Sequence, residues 1–182
     1  MGRGRCMPPA AVPKAHRGYT RGANAPGRGD DMSTLFASPA LRLFGITYLI
    51  LVLKMVAVGA YTSVLRIRGK VYATPEDYAF QGLRPQNGPH EDIERVRRAH
   101  RNDLENILPY FGVGLLYALS NPSLAAAEVY FIGYTIARVL HSVFYIRSMQ
   151  PHRTIAFGVA LLLMLAMLVS TLVWLCTVAP TP

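Results

Sequence analysis

The chain of 182 residues is 52% hydrophobic and 16% charged, against a charged share of roughly 25% in soluble domains. Its apolar residues fall in long blocks that a bilayer explains better than an aqueous core. The net charge of +9 does not make it a nucleic-acid binder, because the basic groups flank apolar blocks instead of covering one soluble face. Cys6 and Cys176 lie near opposite ends with no CxxC or zinc-like spacing, so they read as free thiols and not as a disulfide framework or metal site.

Residues 1–37 are rich in Gly, Arg, Pro and Ala without an apolar period. Such a segment buries too little surface to offset its ordering entropy, which predicts a disordered basic extension. A presequence or an RNA-binding tail are the functional readings of it; a dispensable extension is the plainer one, and Met32 is a candidate alternative start. Residues 38–182 then form one membrane domain, in keeping with the length.

The first apolar segment, residues 40–65, is long enough to cross a core of about 30 Å at about 1.5 Å per residue. It is too long for a signal-peptide apolar region. A long loop follows, in which "TPED" predicts a short helix opening at Pro75 and capped by Thr74 or a neighbour. The uncharged part of the second segment, residues 107–120, reaches only about 21 Å as a helix. To span, it must recruit the polar turns before it, so the helix is expected to start near Asp92 or Glu94, with Arg101 and Glu105 at the membrane boundary and a kink at Pro109. "SNPS" at 120–123 is a tight turn that makes the second and third segments an antiparallel hairpin. The third span, about 123–147, carries Glu128, Arg138 and His141; the fourth, about 154–178, is uncharged from Ile155 onward. The expected fold is therefore an all-α integral membrane bundle of four transmembrane helices, spanning about 40–65, 93–120, 123–147 and 154–178. Lys and Arg crowd the side of the first-to-second and third-to-fourth loops, from Arg66, Arg68 and Lys70 to Arg147 and Arg153. The positive-inside rule puts that side in the cytoplasm, although the basic extension on the other side weighs against it.

At 100° per residue, Arg98, Arg101, Asn102 and Glu105 share a sector about 100° wide on the second helix. Arg138, His141 and Tyr145 share about 60° on the third, with Tyr134 on the same face. The hairpin puts both stripes at one end of the bundle. Charges inside a span cost about 2.5–3.5 kcal/mol each at the helix centre, so such stripes face a cavity or each other. A buried network that glues helices, such as Glu105 with Arg138, is one reading. The cationic excess of Arg66, Arg98, Arg101, Arg138 and Arg153 supports another, an anionic ligand bearing carboxylates. Glu105 and Asn102 would suit an ammonium or peptide group, and the Tyr145 phenol could donate to a thiolate or oxyanion. His100 and His141 lack the companions of a metal site, so no metal is expected. Lys54 reads as a structural cation, Glu128 as paired within the bundle, and "GVGLLY" as span rather than phosphate loop. A proton channel or transporter is the competing class for the stripes alone.

Four stretches in order, "KVYATPEDYAF", "ERVRRAHRNDLENILPYFGVGLLYALS", "ARVLHSVFY" and "QPHRTIAF", resemble the MAPEG family, membrane-associated proteins of eicosanoid and glutathione metabolism. The likeness covers roughly residues 39–178 and is nearest to the family's microsomal glutathione transferase 1 and prostaglandin E synthase branches. It implies a homotrimer of four-helix subunits, with glutathione bound between neighbouring subunits near the cytoplasmic end. Carried over by motif, Arg66, Arg98, His100, Asn102, Glu105, Arg138 and Tyr145 would contact glutathione, with Arg101 and His141 on the same stripes. Arg153 would hold or activate the thiolate. Thr154 stands where the synthase branch has a serine proposed to act in catalysis, and Asp77 is shared with it; these three form the expected catalytic set. Arg101 also follows the synthase, whereas Phe157 and the wording of the first two spans follow the transferase. The resemblance thus implies a membrane glutathione transferase or peroxidase acting on lipophilic electrophiles or hydroperoxides from the lipid. A prostaglandin-type isomerase and a non-enzymatic lipid-binding scaffold are the alternatives. The expected location is the endoplasmic reticulum of a eukaryote or the inner membrane of a bacterium.

Overall fold

A computed structural model describes residues 37–85, 88 and 90–178; the extension and the question of Met32 lie outside the described residues. All regular structure described is helical, in the order α1 (Pro39–Gly69), α2 (Pro75–Phe80), α3 (Glu91–Leu119), α4 (Leu124–Ile146) and α5 (His152–Thr177).

Each start has a local cause. Ser38 accepts from the Leu41 amide at 3.5 Å with Pro39 in the first turn of α1, and Ser123 does the same for Ala126 at 3.4 Å in α4. Thr74 caps α2 by accepting from the Asp77 amide at 3.4 Å, as "TPED" leads one to expect. The exposed Glu76 carboxyl is held below its ordinary range by its own backbone amide and the Thr74 hydroxyl. In α3 the polar turns are helical, as the short apolar run required. Glu91, Asp92 and Glu94 sit where the N-terminal helix dipole favours anions, and Arg95 bonds both Glu91 and Asp92 at 2.9 Å. Lys70 after α1 and Asn121 between α3 and α4 take left-handed backbone, with φ of 53° and 52°.

Helices α1, α4 and α5 are long and apolar enough to cross a membrane. Their outward faces are correspondingly apolar, with Leu49, Leu53 and Leu162 all exposed. The 29-residue α3 matches them in length, at about 43 Å, but its charged first half sets it apart in composition. It packs against α1, α4 and α5, and α4 packs in turn against α1 and α5.

The core between them is aromatic. Tyr110 of α3 stacks on Tyr134 of α4 with centroids 4.0 Å apart, and Phe44 of α1 meets Phe131 at 5.5 Å and Tyr110 at 6.3 Å. Gly114 gives Phe44 its seat: a Cβ there would stand 2.6 Å from Phe44 Cε2. The second glycine of "GVGLLY" thus serves close approach of α1 to α3. Gly114→Ala is expected to displace the ring and cost on the order of 1–3 kcal/mol by overpacking. Heating detergent-solubilised protein and following its loss by size exclusion should show a lower melting midpoint; an unchanged midpoint would mean the ring has room to move.

Candidate functional site

The N-terminal half of α3 presents three edges to three environments. Val96, Ala99, Asp103, Ile107 and Tyr110 point inward and are buried. A second edge, Arg97, His100, Arg101 and Leu104, faces a groove against α1. Arg98, Arg101 and Glu105 are exposed, and Asn102 is half-buried.

The inward edge carries a charge cluster. Arg138 of α4 and Asp103 are fully buried, and Arg138 Nη2 donates to Asp103 Oδ1 at 2.9 Å. The Lys54 ammonium of α1 pairs with the same carboxylate oxygen. The Ser142 hydroxyl lies 3.2 and 3.1 Å from the two oxygens and donates to the carboxylate. The same Arg138 nitrogen reaches Asn102, donating to Oδ1 at 2.9 Å and to the carbonyl at 3.2 Å. A buried network that joins the helices is present, but its carboxylate is Asp103 and not the Glu105 offered as an example: Glu105 lies on the exposed edge, and Arg138 is neutralised by Asp103. It also leaves the group of uncompensated arginines. Lys54 is the structural cation its mid-helix position suggested.

The groove beside the second edge is a cavity of about 350 Å³ that gathers Thr62, Ser63 and Arg66 of α1 with Arg97, His100 and Arg101 of α3. Arg66 and Arg97 also wall a neighbouring cavity of about 380 Å³ that reaches Tyr72, Thr74, Tyr78, His90 and Glu94 beneath α2. Arg97 bonds Glu94, so the surplus positive charge of the groove rests on Arg66 and Arg101. Three of the expected ligand-binding residues, Arg66, His100 and Arg101, thus meet in one place within a single chain.

A third grouping lies where α4 ends and α5 begins. The Arg153 guanidinium sits 4.6 Å over the centre of the Tyr145 ring, a cation–π contact. With its amide turned to satisfy both neighbours, Gln150 accepts from Arg153 at 3.1 Å (Nε) and 2.6 Å (Nη2) and donates to Thr154 Oγ1 at 3.0 Å. His141 is buried, its ring 5.7 Å from Tyr145 and 5.9 Å from Phe157. Arg153, Thr154, Tyr145 and His141 are therefore neighbours, and Arg153 is held with its charge only partly exposed.

Asp77 is not brought to this group: it is exposed on α2, and among the described residues no hydrogen bond or ion pair links its side chain to Arg153 or Thr154. Neither cavity walled by Arg66 is lined by Tyr145 or Arg153, so a single chain presents two separate groupings at one end of the bundle. Among the described residues, no three His, Cys, Asp or Glu side chains gather as a metal site.

Four residues that matter here were not anticipated: Asp103, Ser142, Gln150 and Arg97. Asp103 had a legible signal. It falls four residues after Ala99 and four before Ile107, on the apolar stripe of α3, where a carboxylate requires a buried cation.

The MAPEG family matches residues 44–173, from within α1 to within α5. Microsomal glutathione S-transferase 1 of Rattus norvegicus is 40% identical over 135 residues, covering 71% of this chain and 86% of the relative. Prostaglandin E synthase of Equus caballus is 35% identical over 127 residues, covering 69% and 83%. The Homo sapiens prostaglandin E synthase is 35% identical over 129 residues, covering 70% and 85%.

Asp103→Asn would leave Lys54 and Arg138 without a buried counter-charge, a change expected to cost about 3–5 kcal/mol. Glu105→Gln on the exposed edge should stay within about 0.5 kcal/mol. Parallel thermal melts in one detergent test the contrast, and equal midpoints for the two variants would contradict it.

Proposed function

The chain belongs to the MAPEG family, and we propose that it binds glutathione, ionises the thiol and delivers the thiolate to a lipophilic electrophile or hydroperoxide arriving from the bilayer. Glutathione dependence is supported by relatives named glutathione S-transferase and prostaglandin E synthase. Three apolar helices together with the family make this an integral membrane protein. In this reading α3 is the fourth span, because its polar turns need not face lipid. The protein is then a multi-pass homotrimer of the endoplasmic reticulum or a bacterial inner membrane, with its site at the cytoplasmic end.

The observation that carries the reading is the cationic groove of Arg66, Arg97, His100 and Arg101, at the bundle end that also holds Arg153. Glutathione carries two carboxylates, an ammonium and a thiol. Arginine forks suit the carboxylates, and the exposed Glu105 suits the ammonium. Two half-sites that do not meet in one chain fit a site completed by a neighbouring copy, with Arg66, Arg98, His100, Arg101, Asn102 and Glu105 on the peptide and Tyr145 and Arg153 toward the sulfur.

A free thiol has a pKa of about 8.5, and a neighbouring cation favours its ionised form and lowers that value. Arg153, steadied by the Tyr145 ring and Gln150, supplies that charge. In conjugation the thiolate sulfur forms a bond to carbon as the leaving group departs with its electron pair. In peroxide reduction it attacks the O–O bond, releasing an alcohol, and a second glutathione completes the disulfide with loss of water. The Thr154 hydroxyl beside Arg153 favours a second reading, a glutathione-dependent isomerase, with Asp77 contributing only if another copy brings it near. A lipid-binding scaffold is the non-enzymatic alternative.

Adding glutathione to purified protein in stopped-flow should give thiolate absorbance, with turnover of a generic aryl halide. Absence of both would leave the scaffold. Turnover of prostaglandin endoperoxide without aryl halide conjugation would select the isomerase. In Arg153→Ala the thiol pKa should rise toward its free value, moving the pH–rate curve to higher pH. A rise of about one unit leaves about tenfold less thiolate at neutral pH. An unshifted pH profile would remove Arg153 from thiol activation.

A further inference from the structure

We infer that Arg138 is a positioning residue that fixes the amide of Asn102 so that its NH2 group, and not its oxygen, faces the peptide of the bound cosubstrate. This rests on the glutathione reading above and departs from it in one respect. The resemblance puts Arg138 among the groups that touch glutathione, whereas Arg138 is fully buried behind α3.

The chemistry is one-directional. Arginine has five N–H donors and no acceptor. The Asn102 side-chain atom 2.9 Å from Arg138 Nη2 must therefore be the oxygen, which fixes the otherwise ambiguous amide. The backbone carbonyl of Asn102 is held as well, accepting from Arg138 at 3.2 Å and from the Asn106 side-chain NH2 at 2.8 Å. Asn106 is braced in turn, because its carbonyl accepts from the Tyr134 hydroxyl at 2.8 Å. The Asn102 NH2 has no partner among the described residues, and the residue is half-buried at the border of the exposed edge that carries Arg98, Arg101 and Glu105. Two donors are thus aimed away from the interior, toward an acceptor such as a carboxylate or peptide carbonyl.

Arg138 is itself immobilised. Asp103 holds Nη2 at 2.9 Å, and Lys54 and Ser142 hold Asp103. The order of dependence runs from Lys54 and Ser142 to Asp103, then Arg138, then Asn102. Within the cluster Arg138 bonds through Nη2 alone, and that one nitrogen joins Asp103 to Asn102. Charge adds to geometry: two cations and one carboxylate leave the cluster one unit positive, close behind the wall that receives an anionic peptide.

The test is a double-mutant cycle on full-length protein, with glutathione and a generic aryl halide as substrates. Arg138→Lys keeps the charge for Asp103, but its shorter side chain cannot hold a nitrogen at the Nη2 position that Asp103 and Asn102 share. It should raise the KM for glutathione roughly fivefold to tenfold, with kcat at saturating glutathione and the KM for the aryl halide within about twofold. In an Asn102→Ala background the same change should move the glutathione KM by less than about twofold, because the residue it acts through is gone. Effects that multiply would show that Arg138 acts independently of Asn102 and would overturn the inference. Should Arg138→Lys fail to assemble, Asn102→Asp decides, because its acceptor-only side chain still pairs with Arg138 but offers the ligand no donor. Its glutathione affinity should fall more than about tenfold, and wild-type affinity would overturn the inference. Failure of the wild-type protein to bind glutathione would sink the proposed function itself. Multiplying effects with wild-type binding intact would sink only the role of Arg138.

Discussion

One buried carboxylate sets the arrangement of the site end of the bundle. Asp103 compensates Lys54 of α1 and Arg138 of α4 and takes a hydroxyl from Ser142. Desolvating ions is expensive, and their attraction repays it only with close geometry and full hydrogen bonding. A cluster of this kind is weak evidence of stability but strong evidence of registry. If α1 slid by one residue, Lys54 would turn by about 100° and leave Asp103 facing two helices with one cation. The relative heights of α1, α3 and α4 are therefore tied at one point, and the residues that line the outer edges inherit their positions from it.

That constraint explains why α3 tolerates such a charged first half. Its inward edge is apolar except for Asp103, so the burial that drives packing is intact. The flank toward α1 ends in arginine and histidine, and Gly59 leaves a Cβ position 3.8 Å from His100, room that a larger side chain would fill. Pro109 adds a local effect. It has no amide hydrogen, so the carbonyl of Glu105, four residues earlier, loses its helical donor. The region of broken bonding coincides with the turn in which the Asn106 and Tyr134 side chains donate to the backbone carbonyls of Asn102 and Asn106. Local helix weakness and site chemistry thus share one turn.

The helices were legible because their signals are strong and local: long apolar blocks, a Thr cap before Pro75, and a turn at "SNPS". The need for α3 to begin in its polar turns followed from length alone. The partner of Arg138 was not legible in the same way. A helical wheel gives angles between residues on one helix but not which angle points inward, and Asp103 and Glu105 lie about 200° apart. Choosing the visible polar sector placed Glu105 inside. The apolar neighbours Ala99 and Ile107 would have chosen Asp103. Gln150 carried no signal, since its role depends on how the chain turns between α4 and α5. The grouping of Arg66 with His100 and Arg101 depends on the α1–α3 contact, which periodicity does not encode.

What remains outward on one chain is chemically unbalanced. Arg98, Arg101 and Glu105 are exposed at the border of an apolar bundle, and ions at bilayer depth are stable only against water, another ion or a ligand. Arg66 and Arg101 share a groove with no carboxylate in its lining, while Arg153 and Tyr145 stand at the same end on other helices. Between these two sets, the space from α3 to α4 is taken by the buried Asp103, Arg138 and Ser142. In the proposed trimer, a second copy docked along the exposed edge of α3 would complete the site. In that arrangement the ligand supplies the missing anions, the partner supplies the second wall, and the apolar outer faces of the helices continue into lipid. Under the proposed function, the arginines that have no ion pair among the described residues would receive their counter-charge from glutathione.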